Sequence, residues 1–165
     1  MKEKLIQKMK EVFGDDHKRI NHALAVLKYA EQIQSAEGGD ETVVTAAAIL
    51  HDIGIQQAER KYNSSAWKYQ EIEGPPIAEK ILSGERYDSD RIEHICKIIA
   101  NHHSAKDIDT LEFRIIWDAD WLVNIPDEYG EMSSDKLKEF IGRIFKTNTG
   151  RQIAEEIYLK TETIN

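Results

Sequence analysis

The run TVVTAAAIL, residues 42–50, carries no charged side chain, and it stops at His51-Asp52 with Gly54 two residues later. A helix that is apolar all round has no face to offer water, so it must be buried among other elements. The rest of the chain has to supply that wall. Apolar residues elsewhere recur at three- and four-residue spacings, which is the helical period. Strand signals are absent, as are internal repeats, low-complexity tracts and interdomain linkers. The reading is therefore an all-α fold, one helical bundle spanning residues 1–165.

Boundary signals divide the chain further. A first helix runs from Lys2 to Phe13 and stops at Gly14. A second follows with Asp15 or Asp16 as N-cap and ends at Gly38-Gly39. The central helix covers Thr42 to Asp52, with Gly54 expected in a left-handed turn. The polar stretch Gln56 to Ile72 reads as a long loop of the kind that covers sites. PPIAEKILSG restarts a helix with proline in its first turn. Ser89 or Asp90 caps the helix RIEHICKIIANHH, and Pro126 limits the helix TLEFRIIWDADWLVNI. Two amphipathic helices, around SDKLKEFIGRIF and RQIAEEIYL, complete the chain.

Of the 165 residues, 41% are hydrophobic and 32% charged, a profile of soluble globular chains that can bury a core unaided. The formal net charge of −8 opposes general binding to nucleic acid or membrane surfaces. The single cysteine, Cys96, excludes an internal disulfide and reads as a small buried hydrophobe. The first residues lack a signal-peptide pattern, and no apolar run reaches the roughly 20 residues that span a bilayer. A cytoplasmic protein is expected.

Chemistry is concentrated in histidines and aspartates that end apolar stripes. His22 shares a helix face with Val26, Tyr29 and Ile33. His51-Asp52 closes the central helix, where a buried ionised aspartate needs a partner or a metal. His102 continues the stripe Ile92, Ile95, Ile99, and His103 is the next position round. Asp120 extends the face of Phe113, Ile116 and Trp117. Taken singly, His22 is also readable as a core histidine, and Asp52 as the group that fixes the His51 tautomer. Four helices ending alike point to convergence. Imidazole with carboxylate and no thiolate suits Mn, Fe, Co, Ni or Zn as a divalent ion. His94 and His17 read as solvent-facing, Asp118 as a partner of Arg114, and Trp117 and Trp121 as core or pocket wall.

The ordered set His22, His51-Asp52, Asp120 resembles the H…HD…D signature of the HD-domain superfamily of metal-dependent phosphohydrolases. RINHALAVLKYAEQI, AAAILHDIGI and WDADWLVNI resemble its three ligand helices, over roughly residues 15 to 125. The resemblance implies an HD-type bundle in which His22, His51, Asp52 and Asp120 hold a metal. It implies an activated water that attacks a phosphate ester of a small metabolite or nucleotide. Members with two ions add ligands, for which Glu73, His102 and His103 stand as the matching positions. Glu73 is equally readable as a carboxylate at a helix N-terminus. Asp52, His102 and His103 are the catalytic candidates. Arg19, a basic position in some relatives, and Lys61 are candidate phosphate contacts, though Arg19 also suits a surface ion pair.

The cyclic-dinucleotide phosphodiesterases of that superfamily carry lysine where this chain has Ile55, and a glycine-tyrosine-proline motif that is missing here. Lys18 stands where some have glutamate. That activity is not expected. The other readings are an HD-type diiron oxygenase and a non-catalytic nucleotide-binding signalling module. Degenerate modules usually lose ligands, whereas this chain keeps all four.

Overall fold

The computed structural model describes residues 1–159. They form α1 (Lys2–Phe13), α2 (His17–Glu37), α3 (Glu41–Leu50), α4 (Ile55–Tyr62), α5 (Trp67–Gly84), α6 (Ser89–Asn101), α7 (Leu111–Tyr129), α8 (Ser134–Ile144) and α9 (Asn148–Tyr158). No strand occurs among the described residues, in line with the all-α expectation.

The apolar run becomes α3. Asp40 caps it by accepting a hydrogen bond from the Val43 amide at 3.2 Å. Val43, Val44 and all of Ala46 to Leu50 are buried, because α1, α2, α6 and α7 enclose the helix. Small residues on α3 let those neighbours approach closely. Truncating Ile49 or Leu50 to alanine is worth about 2–5 kcal/mol, since a fully enclosed site cannot collapse into the gap.

Helix ends follow local chemistry. Gly14 ends α1 at φ 59°, and Gly38 ends α2 at φ 91°, conformations that favour glycine. Asp16 caps α2, accepting from the Arg19 amide. Asp88, rather than Ser89 or Asp90, caps α6 by accepting from the Arg91 amide at 3.0 Å.

Several expectations are revised. The stretch 56–72 is not a long loop: α4 occupies its first part and α5 begins at Trp67. Tyr62 and Tyr69 stack across the intervening corner, ring centroids 4.1 Å apart. Pro75 and Pro76 do not start a helix but lie within α5, where Pro76 is exposed and the buried face runs through Glu73, Gly74, Ala78 and Leu82. That packing outweighs the amide hydrogen bonds the two prolines remove.

Pro126 likewise lies within α7, which continues to Tyr129. Its missing N–H leaves the Leu122 carbonyl without the usual helical donor. The Tyr158 hydroxyl from α9 donates to that carbonyl at 2.6 Å. Burial and the neighbouring Tyr29 push the Tyr158 phenol up to about 12, so it stays a donor.

Asp118 does not pair with Arg114, which binds Asp109 at 2.7 Å. It is fully buried and accepts from the Lys146 and Thr147 amides, both at 2.8 Å, and from Thr147 Oγ1 at 2.7 Å. Thr147 in turn caps α9. Gly150 is needed there, because a Cβ would sit 2.3 Å from Asp118 Oδ2. Trp117 and Trp121 pack against the core, as expected. Cys96 is half-buried with its Sγ 3.6 Å from the Pro75 carbonyl, and burial pushes its thiol up to about 11.

Candidate metal centre

Two helix ends present histidine in the same way. His51 follows α3 in right-handed helical geometry, and its Nδ1–H donates to the Ala48 carbonyl at 2.8 Å. His102 follows α6 in similar geometry, with Nδ1–H donating to the Ile99 carbonyl at 2.7 Å. In each case the bond to a carbonyl three residues back fixes the tautomer and turns Nε2 inward as the free ligand atom.

Gly54 closes the turn after Asp52, but not in the left-handed conformation expected. Its φ is −87°, a value open to any residue. The need for glycine is steric: a Cβ there would lie 2.4 Å from the Gly74 amide nitrogen and 2.7 Å from its Cα. Backbone meets backbone where α5 crosses the turn.

Four ligand atoms from α2, the turn after α3, and α7 now converge. His22 Nε2 lies 3.0 Å from Asp120 Oδ1, 3.3 Å from Asp52 Oδ2 and 3.3 Å from His51 Nε2. His51 Nε2 lies 3.2 Å from Asp52 Oδ2 and 3.4 Å from Asp120 Oδ1. Donors about 2.1 Å from one ion are about 3.0 Å apart at right angles and about 3.4 Å apart at the tetrahedral angle. The cluster therefore has the spacing of a first coordination shell. Two carboxylates also balance the charge of a dication, and the all-N,O set suits Mn, Fe, Co, Ni or Zn.

Asp52 uses its oxygens separately. Oδ2 faces His22 and His51, while Oδ1 lies 3.2 Å from His102 Nε2. A second ligand group, Asp52, His102 and His103, thus overlaps the first through one carboxylate.

Without an ion, protons must fill the same space. Burial opposes charge on His51, but Asp52 and Asp120 outweigh it and raise its pKa well above the usual 6.5. Burial would raise both aspartates, yet His51 and His102 hold Asp52 well below the carboxylate range. His22 and His51 do the same for Asp120. His103 differs: burial, then the neighbouring His102, lowers it to about 4, so it is neutral at pH 7.

His103 Nε2 lies 3.2 Å from Gln70 Oε1, whose amide nitrogen donates to the Ser65 carbonyl. Glu71 accepts from the His103 amide, the Ser104 amide and the Ser104 hydroxyl, each at 3.0 Å. Gln70 and Glu71 are the positions by which α5 reaches the centre. Sequence reasoning missed them because it began the helix at Pro75 and so cut off the stripe that runs back from Leu82 through Ala78 and Gly74.

Glu73 is not brought to the cluster. It pairs with Lys61 at 3.2 Å and borders a separate groove. That bond, more than any other cause, raises the Lys61 ammonium. Arg19 does border the centre but is engaged by Asp16 at 3.0 Å and by Glu59. His94 is half-buried, not solvent-facing, because its Nε2 lies 2.8 Å from the Thr110 hydroxyl. His17 is exposed, as expected.

The cluster floors an open cleft of about 540 Å³, a size that suits small molecules. Lys18 and Arg19 border it one helical turn from His22. Asn124, Asp127 and Glu128 border it along the α7 face that carries Asp120. No helix among the described residues is long and apolar enough to cross a membrane.

The family model "HD domain" matches residues 19–125. The structure is similar to the crystal structure of a predicted HD superfamily hydrolase from an uncultured Thermotogales bacterium. Their TM-score is 0.71 and sequence identity 25%, over 93% of this chain and 83% of that one. No curated protein matches the chain.

Proposed function

This chain belongs to the HD-domain family, and on that premise we propose that it is a metal-dependent phosphohydrolase acting on a phosphate ester of a small molecule. The observation that carries the reading is that His22 Nε2 and His51 Nε2 lie 3.3 Å apart and each within 3.0 to 3.4 Å of a carboxylate oxygen of both Asp52 and Asp120, on the floor of a cleft of small-molecule size. His22, His51, Asp52 and Asp120 would hold the ion. When bound, a divalent transition metal supplies Lewis acidity and activates water.

The chain's own residues do the rest. His51 is oriented by the Ala48 carbonyl, so its ring would need no reorientation to ligate an ion in place of the Nε2 proton. Lys18, exposed one turn above His22, attracts the phosphate and orients it over the floor. Arg19, held by Asp16 and Glu59, stiffens that wall. His102, held by its Nδ1–H bond to the Ile99 carbonyl, presents Nε2 to Asp52 Oδ1 and so positions that carboxylate or would serve a second ion. In the net step a water oxygen bonds to phosphorus, the ester P–O bond breaks, and the alcohol leaves protonated.

The two ligand groups differ in charge. The first has two carboxylates; the second adds only imidazoles to the shared Asp52. One ion therefore binds tightly and a second more weakly. The overlap through Asp52 also keeps the diiron oxygenase as the competing reading.

The test loads anaerobically purified protein with Mn, Fe, Co, Ni or Zn in turn and follows phosphate release from a panel of monoesters. Oxygen consumption is recorded in parallel with ferrous iron. Metal-dependent phosphate release with no oxygen uptake is the expected result. Oxygen uptake without phosphate release would replace this reading with the oxygenase.

A further inference from the structure

Charge is not spread evenly over the cleft walls, and helix periodicity sets where each sign falls. On α2, Lys18 and Arg19 precede His22 by four and three residues, so they stand one turn from a ligand. On α7, Asn124, Asp127 and Glu128 follow Asp120 by four, seven and eight residues. At 1.5 Å per residue these places lie about 6, 10 and 12 Å along the helix from Asp120. The Asp40 amide, just past the end of α2, meets Glu112 at the start of α7 while His22 meets Asp120, so the helices run antiparallel and both walls rise from the ligand floor together. Lys18 and Arg19 stand one turn up one wall, and the two adjacent carboxylates stand two turns up the other, at the far end of the cleft.

The balance at the far end is one-sided. Arg19 is already neutralised by Asp16 and Glu59, and Asp52 and Asp120 are committed to the ion. Lys18 remains for one phosphate. Asp127 and Glu128 are exposed to the cleft. Partial burial, then Asp120 and Asp127, raises the Glu128 carboxyl, which reflects a neighbourhood of like charge.

Resting on the phosphohydrolase reading, we infer that this cleft selects substrates with a single phosphate and no second anionic group. The favoured class is the phosphomonoester of a neutral or amino-bearing alcohol, whose hydroxyl or ammonium groups lie against Asn124, Asp127 and Glu128. Diphosphates, triphosphates and bisphosphates are disfavoured, because the second anion, carried along α7, meets two carboxylates in a cleft that focuses their field.

The experiment measures binding of inorganic phosphate and of pyrophosphate to metal-loaded protein by calorimetry, in the wild type and in the double variant Asp127→Asn, Glu128→Gln. Pyrophosphate's intrinsic preference for the ion is common to both proteins and cancels in the comparison. The double variant is expected to raise pyrophosphate affinity relative to phosphate at least tenfold, and the gain should shrink as salt is added. An unchanged ratio, with phosphate still bound, overturns the inference and leaves the phosphohydrolase reading standing. Failure of inorganic phosphate to bind the loaded wild type overturns both. Circular dichroism of the variant establishes that α7 is intact.

Discussion

Asp118 and Asp120 stand two residues apart on α7, and both carboxyls are buried. Around Asp118 lie two peptide N–H groups and a hydroxyl, all between 2.7 and 2.8 Å. Around Asp120 lie imidazole nitrogens from two other segments, at 3.0 and 3.4 Å. The first environment is fixed, uncharged and complete. The second consists of groups that need a proton or an ion between them. One helix thus carries a carboxylate that fastens the C-terminal helices and, half a turn on, one that is the proposed ligand of a cation.

Substitution separates the two. Asp120→Asn keeps the shape but removes a charged ligand, and catalytic efficiency should fall about a thousandfold or more. Elemental analysis should find the ion lost, while helix content persists. Asp118→Ala should keep the ion but lose about 2–4 kcal/mol in urea unfolding, since three buried donors are orphaned. Equal metal loss in both variants would erase the distinction.

The pH dependence of ion-free protein runs in opposite senses. Burial pushes the Asp118 carboxyl up from 3.8 to about 6 despite its three donors. A raised carboxyl contributes stability below pH 3.8 and loses it as pH rises through about 6. The stability difference between wild type and Asp118→Asn should therefore shrink by on the order of 3 kcal/mol between pH 4 and 7. Asp120 is depressed, so its contribution is present above 3.8 and lost as pH falls. The corresponding difference for Asp120→Asn should shrink on the acid side instead. Urea titrations in chelator across pH 3–8 measure both, and parallel curves would refute the assignment.

Smaller effects sharpen the picture. Gly54→Ala forces α5 away from the Asp52 turn and should cost about 1–3 kcal/mol, with weaker metal retention, whereas the Asp118 network is spared. Tyr158→Phe leaves the Leu122 carbonyl without its donor and should cost about 1 kcal/mol, read in the unfolding midpoint, with metal content unchanged.

Much of this was legible in the sequence. The uncharged run 42–50 required enclosure, and the apolar stripes that end in His22, His102 and Asp120 singled those residues out together with His51 and Asp52. What escaped was decided by packing between distant segments. Pro75 and Pro126 carry the local signal of a boundary, but Gly74 against Gly54, and Tyr158 on Leu122, hold both helices through them. Glu73 was a candidate ligand and faces the other groove, because an unbroken α5 rotates Gln70 and Glu71 inward instead. The stripe of Phe113, Ile116 and Trp117 set Asp120 apart, but the role of Asp118 is decided by the Lys146–Thr147 segment, nearly thirty residues on.

The crossing of Gly54 and Gly74 bears on the order of assembly. His22 and Asp120 are 98 residues apart in the chain, and the turn that carries Asp52 lies against α5. No short fragment can hold the four ligands at coordination distance. On the proposed metal-binding reading, ion capture is therefore a late event, after α2, α3, α5 and α7 have docked. A metal titration on refolding protein would report completed tertiary structure, and its rate would follow the slowest of these long-range closures rather than the growth of any helix.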